Sequence, residues 1–396
     1  MSTTQALVEV MQTHLHELSV TIGARPTGTV ANHEAATYIA QVFTDNGFEV
    51  ETQSFPCMTW AQAGGVLNVN ETSYQVSPSP YSLPCDVEAS IVVVESLEQL
   101  EAAAITGKIV LLGGDLSAEV LMPKNFTFYN PNHHRNLIRL LETETPAALL
   151  TRSLHPANYL PIFEDGDFNI PSGVINQQDY AVVVADAKDI SQLKLDCQRD
   201  DTTAANVIAR KHSEHPSKVV IMAHFDTKPG TPGALDNASG VAALLSMSSL
   251  LKDINIGVEL IAFNGEDYFS VPGQMVYLTA YSDTFSNIKL AINCDGIGLR
   301  DSKTAVSLLE CPETYSHHIT TLINQSTPAF EQIAPWYQGD HMMFASASVP
   351  SIALTSTGIF PLIDEVIHTD NDILELIDPH VISNICLFMK EVVVGI

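Results

Sequence analysis

The chain has 396 residues, 45% of them hydrophobic, with 46 acidic against 18 basic side chains and a formal charge of −28. That length suits one large α/β domain plus a smaller one. The charge argues against nucleic acid or an anionic membrane as a partner, and a solvated acidic surface explains most of it.

The opening Met1-Ser-Thr-Thr-Gln-Ala has neither a basic leader nor an apolar core. No apolar run reaches the ~20 residues of a membrane span. The expectation is a cytoplasmic protein or, in processed form, a secreted one. Six cysteines (Cys57, Cys85, Cys197, Cys294, Cys311 and Cys386) lack CxxC spacing and read as buried thiols of a reducing compartment.

Ala6, Leu7, Val10, Met11, Leu15 and Leu18 keep a 3.6-residue stripe, and Gly47 stops a second helix. Residues 2–55 therefore predict two helices and a strand. From Pro56 to Asp200 the character changes to short strands (91–95, 109–112 and 147–150) between Gly, Pro and Asn turns. After Asn206 strands and helices alternate, the pattern of a largely parallel sheet covered on both faces.

The richest stretch starts at Val219. An apolar run of strand length ends in His224-Phe-Asp226, a Gly/Pro-rich loop comes next, and Asp236 stands where a helix over 241–251 begins. Residues at i and i+2 of a strand share a face, so His224 and Asp226 can converge at the carboxyl end, where open α/β sheets place their sites. The run 258–263 closes in Asn-Gly-Glu266-Asp267, the run 288–294 closes in Asp295-Gly296, and His368 comes later, between Glu365 and Asp370. Taken singly, Asp236 is a helix N-cap, Asp295 a turn residue and His368 a surface histidine. The ordered set suits a metal.

Joined to Ile22-Gly-Ala-Arg25-Pro-Thr-Gly28, to Gly47-Phe-Glu-Val-Glu51 and to Gly339-Asp340-His341-Met-Met-Phe344, that set resembles the M28 family of zinc-dependent exopeptidases. The last segment is similar to the family's Ser-Asp-His box. The resemblance implies an α/β fold with a three-layer, doubly wound, mostly parallel mixed sheet. Residues 1–56 and 204–396 would form the catalytic domain. Residues 57–203 would form a β-rich insert, and Gly107-Lys-Ile-Val-Leu111 within them resembles the protease-associated domain.

The resemblance also implies two zinc ions. Asp236 would bridge them, with His224 and Asp295 on the first, and Asp267 and His368 on the second. Asp226 would orient His224, and Glu266 would be the general base. Most relatives carry Glu-Glu where this chain has Glu266-Asp267, so the second ion has a shorter ligand. His341 is assigned to the substrate pocket or the oxyanion, and Tyr337 lies near where some relatives place a tyrosine on the tetrahedral intermediate. Arg25 reads as structural, and the pairs His133-His134 and His317-His318 are metal-like in composition alone. The expected activity is an aminopeptidase acting on peptides. A carboxypeptidase, a single-zinc glutaminyl cyclase-like transferase and a metal-depleted binding protein are the alternatives. Side-chain preference and oligomeric state are not readable.

Overall fold

The computed structural model describes residues 3–156, 159–186, 190–326, 329–363 and 365–396. They form two compact units, Met1–Cys57 with Thr202–Ile396, and Met58–Asp201.

In the first unit the sheet order is 207–211, Gly257–Phe263, Lys218–His224, Ile288–Cys294, Ser351–Ser356, Thr304–Leu309 and Phe330–Gln332. The first pairing and that of Ser351–Ser356 with Thr304–Leu309 are antiparallel, and the remaining four are parallel. The central strands are apolar runs because both faces are covered. Val219, Ile221 and Ala223 join a core shared with the helices Thr3–His16, Ser239–Leu250 and Pro379–Val394. Val220 and Met222 join a second core with Tyr277, Phe285 and Phe344 on the opposite face. Three layers result. The helix Ser239–Leu250 is buried from Ser239 through Ser248, which accounts for its lack of a polar side.

A buried charge network crosses this sheet. Glu259, 1% exposed, accepts from Arg210 Nε at 2.6 Å and Lys218 Nζ at 3.0 Å, and from the Tyr277 hydroxyl. Burial alone raises the Glu259 carboxyl, but Lys218 and Arg210 outweigh it and hold the group below its ordinary 4.5. The stability it contributes is therefore complete above about pH 4.5 and is lost as pH falls through the lowered value. Glu259→Ala would leave Lys218 without its carboxylate and Arg210 with Glu51 alone, and is expected to cost about 3 kcal/mol, read as a lower denaturant midpoint at unchanged slope.

The second unit has a parallel centre, Cys85–Val94, Ile109–Leu112, Ala148–Arg152 and Ser172–Ile175. Antiparallel partners flank it at Thr72–Pro78 and 190–195. The helix Asn132–Glu144 packs one face through Leu137, Ile138 and Leu141, and Gln177–Asp186 packs the other through Tyr180 and Val183. Among the described residues no helix is long and apolar enough to cross a membrane.

Candidate metal site

Three neighbouring parallel strands deliver acidic or imidazole groups to one edge. Lys218–His224 ends in His224, Ile288–Cys294 runs straight into Asp295, and Gly257–Phe263 into Asn264-Gly265-Glu266-Asp267. Asp236 stands on the irregular turn between Gly233 and the helix Ser239–Leu250, with extended backbone (φ −119°, ψ 87°). Asn237, not Asp236, accepts a first-turn N–H of that helix, from Gly240 at 3.0 Å, so the carboxylate of Asp236 is free to face the sheet edge. His368 arrives from the C-terminal loops at φ +62°, a left-handed conformation that few residues other than glycine adopt.

These groups meet. His224 Nε2 lies 3.0 Å from Asp236 Oδ1 and 3.6 Å from Asp295 Oδ1. His368 Nε2 lies 3.1 Å from Asp236 Oδ2 and 2.9 Å from Asp267 Oδ1. Each oxygen of Asp236 thus faces a different imidazole. Two atoms bound to one tetrahedral zinc at ~2.0–2.1 Å stand about 3.3 Å apart, and the observed spacings bracket that value. The second oxygen of Asp267 is buried with no hydrogen-bond partner. His224, Asp236 and Asp267 offer ligand atoms within 4.8 Å of one another. The residues present fit a metal.

The electrostatics agree. Burial lowers His224, but the carboxylates of Asp226, Asp236 and Asp295 around it override that and hold the ring well above 6.5. His368 is raised likewise against burial, chiefly by Asp267 and Asp236. Asp236, facing both rings, is driven far below its ordinary value in spite of burial. The same carboxylates that hold protons on both rings would attract a metal cation.

Other groups hold the cluster. Asp226 Oδ1 lies 3.6 Å from His224 Nδ1, on the side of the ring away from Asp236. Its oxygens also accept from the Glu266 and Asp267 N–H groups at 3.2 and 3.0 Å and from the Thr27 hydroxyl at 3.1 Å. Asn264, which leads into Glu266, exchanges two amide hydrogen bonds with Asn32. Lys228 Nζ donates to the Asp267 carbonyl at 2.6 Å. The carboxylate of Asp372, which no sequence motif singles out, accepts from the Leu235 and Asp236 N–H groups. Nothing local marks it beyond lying four residues after His368.

Burial raises the Glu266 carboxyl well above its ordinary value. His224 opposes the shift, while Asp340, Asp267 and Asp295 reinforce it. Asp340 is buried, accepts from Gln274 Nε2 at 2.6 Å, and is pushed up to about 7, first by burial. His341, fully buried, has Nε2 placed 3.1 Å from the Trp336 carbonyl. That nitrogen must donate, so the unpaired Nδ1 carries a lone pair. The neutral ring, lowered by burial, can shape a pocket as an acceptor but has no free donor for an oxyanion. An ideal Cβ on Gly339 would lie 3.5 Å from His341 Nδ1 and 3.7 Å from Asp295 Oδ2, which puts His341 at the rim of the cluster.

Tyr337 is not brought in. It is 71% exposed, and no hydrogen bond or ring contact among the described residues ties it to the cluster. His317 and His318 lie on the helix Glu313–Gln325, away from these groups. His133 and His134 do converge on Glu119, with Nε2 distances of 2.9 and 3.2 Å. His134 Nδ1, however, accepts the Met122 N–H at 3.0 Å. That fixes the proton on Nε2, which faces Glu119 at 3.2 Å and cannot also bind a metal.

Residues 206–393 match the model of peptidase family M28. Aminopeptidase YwaD of Bacillus subtilis is 22% identical over 356 residues, covering 85% of this chain and 73% of that protein. The structure of a zinc aminopeptidase from Bacillus subtilis superposes with a TM-score of 0.77 at 20% identity, over 98% of this chain and 94% of the other. A glutaminyl cyclase from Porphyromonas gingivalis is more distant, with a TM-score of 0.53 at 13% identity over 100% and 99% of the two chains.

Proposed function

We propose that the chain, whose residues 206–393 match peptidase family M28, is an aminopeptidase that removes N-terminal residues from peptides with two zinc ions. The observation that carries the second ion is the division of Asp236, one oxygen toward His224 and the other toward His368. His224 and Asp295 would hold one zinc, His368 and Asp267 the other, with Asp236 between them. Zinc there supplies Lewis acidity, which polarises a carbonyl and lowers the pKa of water toward ~7.

The chain's own groups do the rest. Glu266 takes a proton from the attacking water and returns it to the departing amine. Asp226 keeps His224 turned with Nε2 toward Asp236. His341 walls the pocket beside Asp295. A free amine is favoured over a free carboxylate by charge. Glu266 and Asp340 add acid beyond the ligands, whereas the neighbouring cations are engaged, Arg25 on backbone carbonyls and Lys228 on the Asp267 carbonyl. For residues 58–201 we propose a protease-associated-like domain, on the 107–111 motif.

Calorimetric titration of metal-stripped protein with zinc is expected to show two equivalents. One equivalent, together with cyclisation of N-terminal glutamine, would replace this reading with the transferase. Peptides with a free N-terminus should be cleaved and N-acetylated ones spared. Because His224 and His368 are held above 6.5, zinc must displace their protons, so proton release on binding and an apparent affinity that rises with pH are both expected.

A further inference from the structure

Asp236 is held by two residues that touch no reacting atom. Asp372 accepts three consecutive N–H groups of the turn: Ala234 on its backbone carbonyl at 3.2 Å, Leu235 on Oδ1 at 2.6 Å and Asp236 on Oδ2 at 2.9 Å. Arg25, 0% exposed, grips the same segment by its carbonyls. Its Nη1 donates to Pro232 at 2.7 Å, Nη2 to Gly233 at 2.9 Å, and Nε to Phe225, the residue between His224 and Asp226, at 2.5 Å. The Arg25 N–H adds a bond to Thr227 Oγ1 at 3.0 Å. Gly233 turns the chain at φ +59°, where a Cβ would fall 2.4 Å from Thr227 Cγ2 and 2.6 Å from the Asp236 carbonyl. The carbonyls entering the turn are thus tied to a cation and the N–H groups leaving it to an anion.

A carboxylate that serves two ions must present both oxygens within about 0.5 Å and 10–20° of the right place. Its neighbours Asp226, Asp267 and Asp372 are acids whose repulsion works against that placement, and the buried Arg25 guanidinium offsets it. We propose that Arg25 and Asp372 are positioning residues that set the 232–236 turn in its ligating form before metal arrives, and so govern the affinity of both ions. This rests on the reading of Asp236 as the shared ligand.

The test is zinc affinity, by competition with a chromogenic chelator, for Asp372→Asn, Arg25→Lys and Asp236→Asn. An amide at 372 has one oxygen for two N–H groups and turns a donor toward the other. Asp372→Asn is expected to weaken both zinc steps by ~10–100-fold, the cost of losing a group one step behind a ligand, with the far-UV spectrum unchanged. Arg25→Lys should do the same, since one ammonium cannot span three carbonyls. Unaltered affinity in Asp372→Asn, alongside lost binding in Asp236→Asn, would overturn the clamp and leave the shared ligand standing. Full binding by Asp236→Asn would instead sink the shared ligand itself. Should Asp372→Asn not fold, hydrogen exchange on metal-stripped wild-type protein decides: protected Leu235 and Asp236 amides support the clamp, and exchange at the rate of an open loop refutes it.

Discussion

Glu266→Gln is expected to lower kcat by at least ~10²–10⁴-fold while two zinc ions still bind with wild-type affinity. Gln keeps the shape and hydrogen-bonding reach of Glu but cannot take a proton. The Glu266 backbone N–H is spent on Asp226 at 3.2 Å, and the substitution leaves that bond intact, so His224 and Asp267 should keep their places. The carboxyl lies among Asp340, Asp267 and Asp295, all of which add to the rise that burial imposes. Steady-state kinetics together with metal content decide the matter. Near-normal turnover would remove Glu266 from the mechanism, and lost zinc would make it a ligand.

Asp236→Asn is expected to remove activity to background and to weaken both zinc steps. The loss should exceed the ~100-fold that a group one step behind the metal costs. The reason is geometric. His224 and His368 face each other across this one carboxylate, at 3.0 and 3.1 Å, and an amide presents only one oxygen and no charge. Substituting Asp295 or Asp267 should instead affect chiefly one ion each, because the nearest imidazole to Asp295 is His224, at 3.6 Å, and to Asp267 is His368, at 2.9 Å. Titrating the three variants separates a shared ligand from two independent ones. Equal and partial losses in all three would count against sharing.

Much of the fold is written locally. The runs 219–223, 258–263 and 288–294 are near-continuous apolar segments because parallel strands are buried on both faces. Each stops where the sheet edge meets polar surroundings, which is why His224, Glu266-Asp267 and Asp295 stand out in the sequence. The helix expected over 241–251 is found at Ser239–Leu250, within the usual uncertainty of element ends. Between the units the contrast in pattern was also visible, but a run of short strands does not disclose the parallel centre, with helices on both faces, that 58–201 contains.

What the sequence determined by itself is the set of elements and the chemical kinds at their ends, since periodicity and strand termination are local properties. Which of those groups meet was decided by tertiary structure. Asp372 reaches Leu235 across 137 residues, and no local signal separates it from Asp370. Arg25 read as structural, yet its carbonyl contacts 200 and more residues away place it directly under the site. Tyr337 and His341 lie four residues apart, but one is 71% exposed and the other fully buried, because the turn between them points their side chains to opposite environments. His133 and His134 are metal-like in composition alone, and a single backbone N–H from Met122 fixes the His134 proton on the nitrogen that a metal would need. Hydrogen-bond partners distant in sequence set tautomer, orientation and charge, and those are the quantities that turn a residue type into a function.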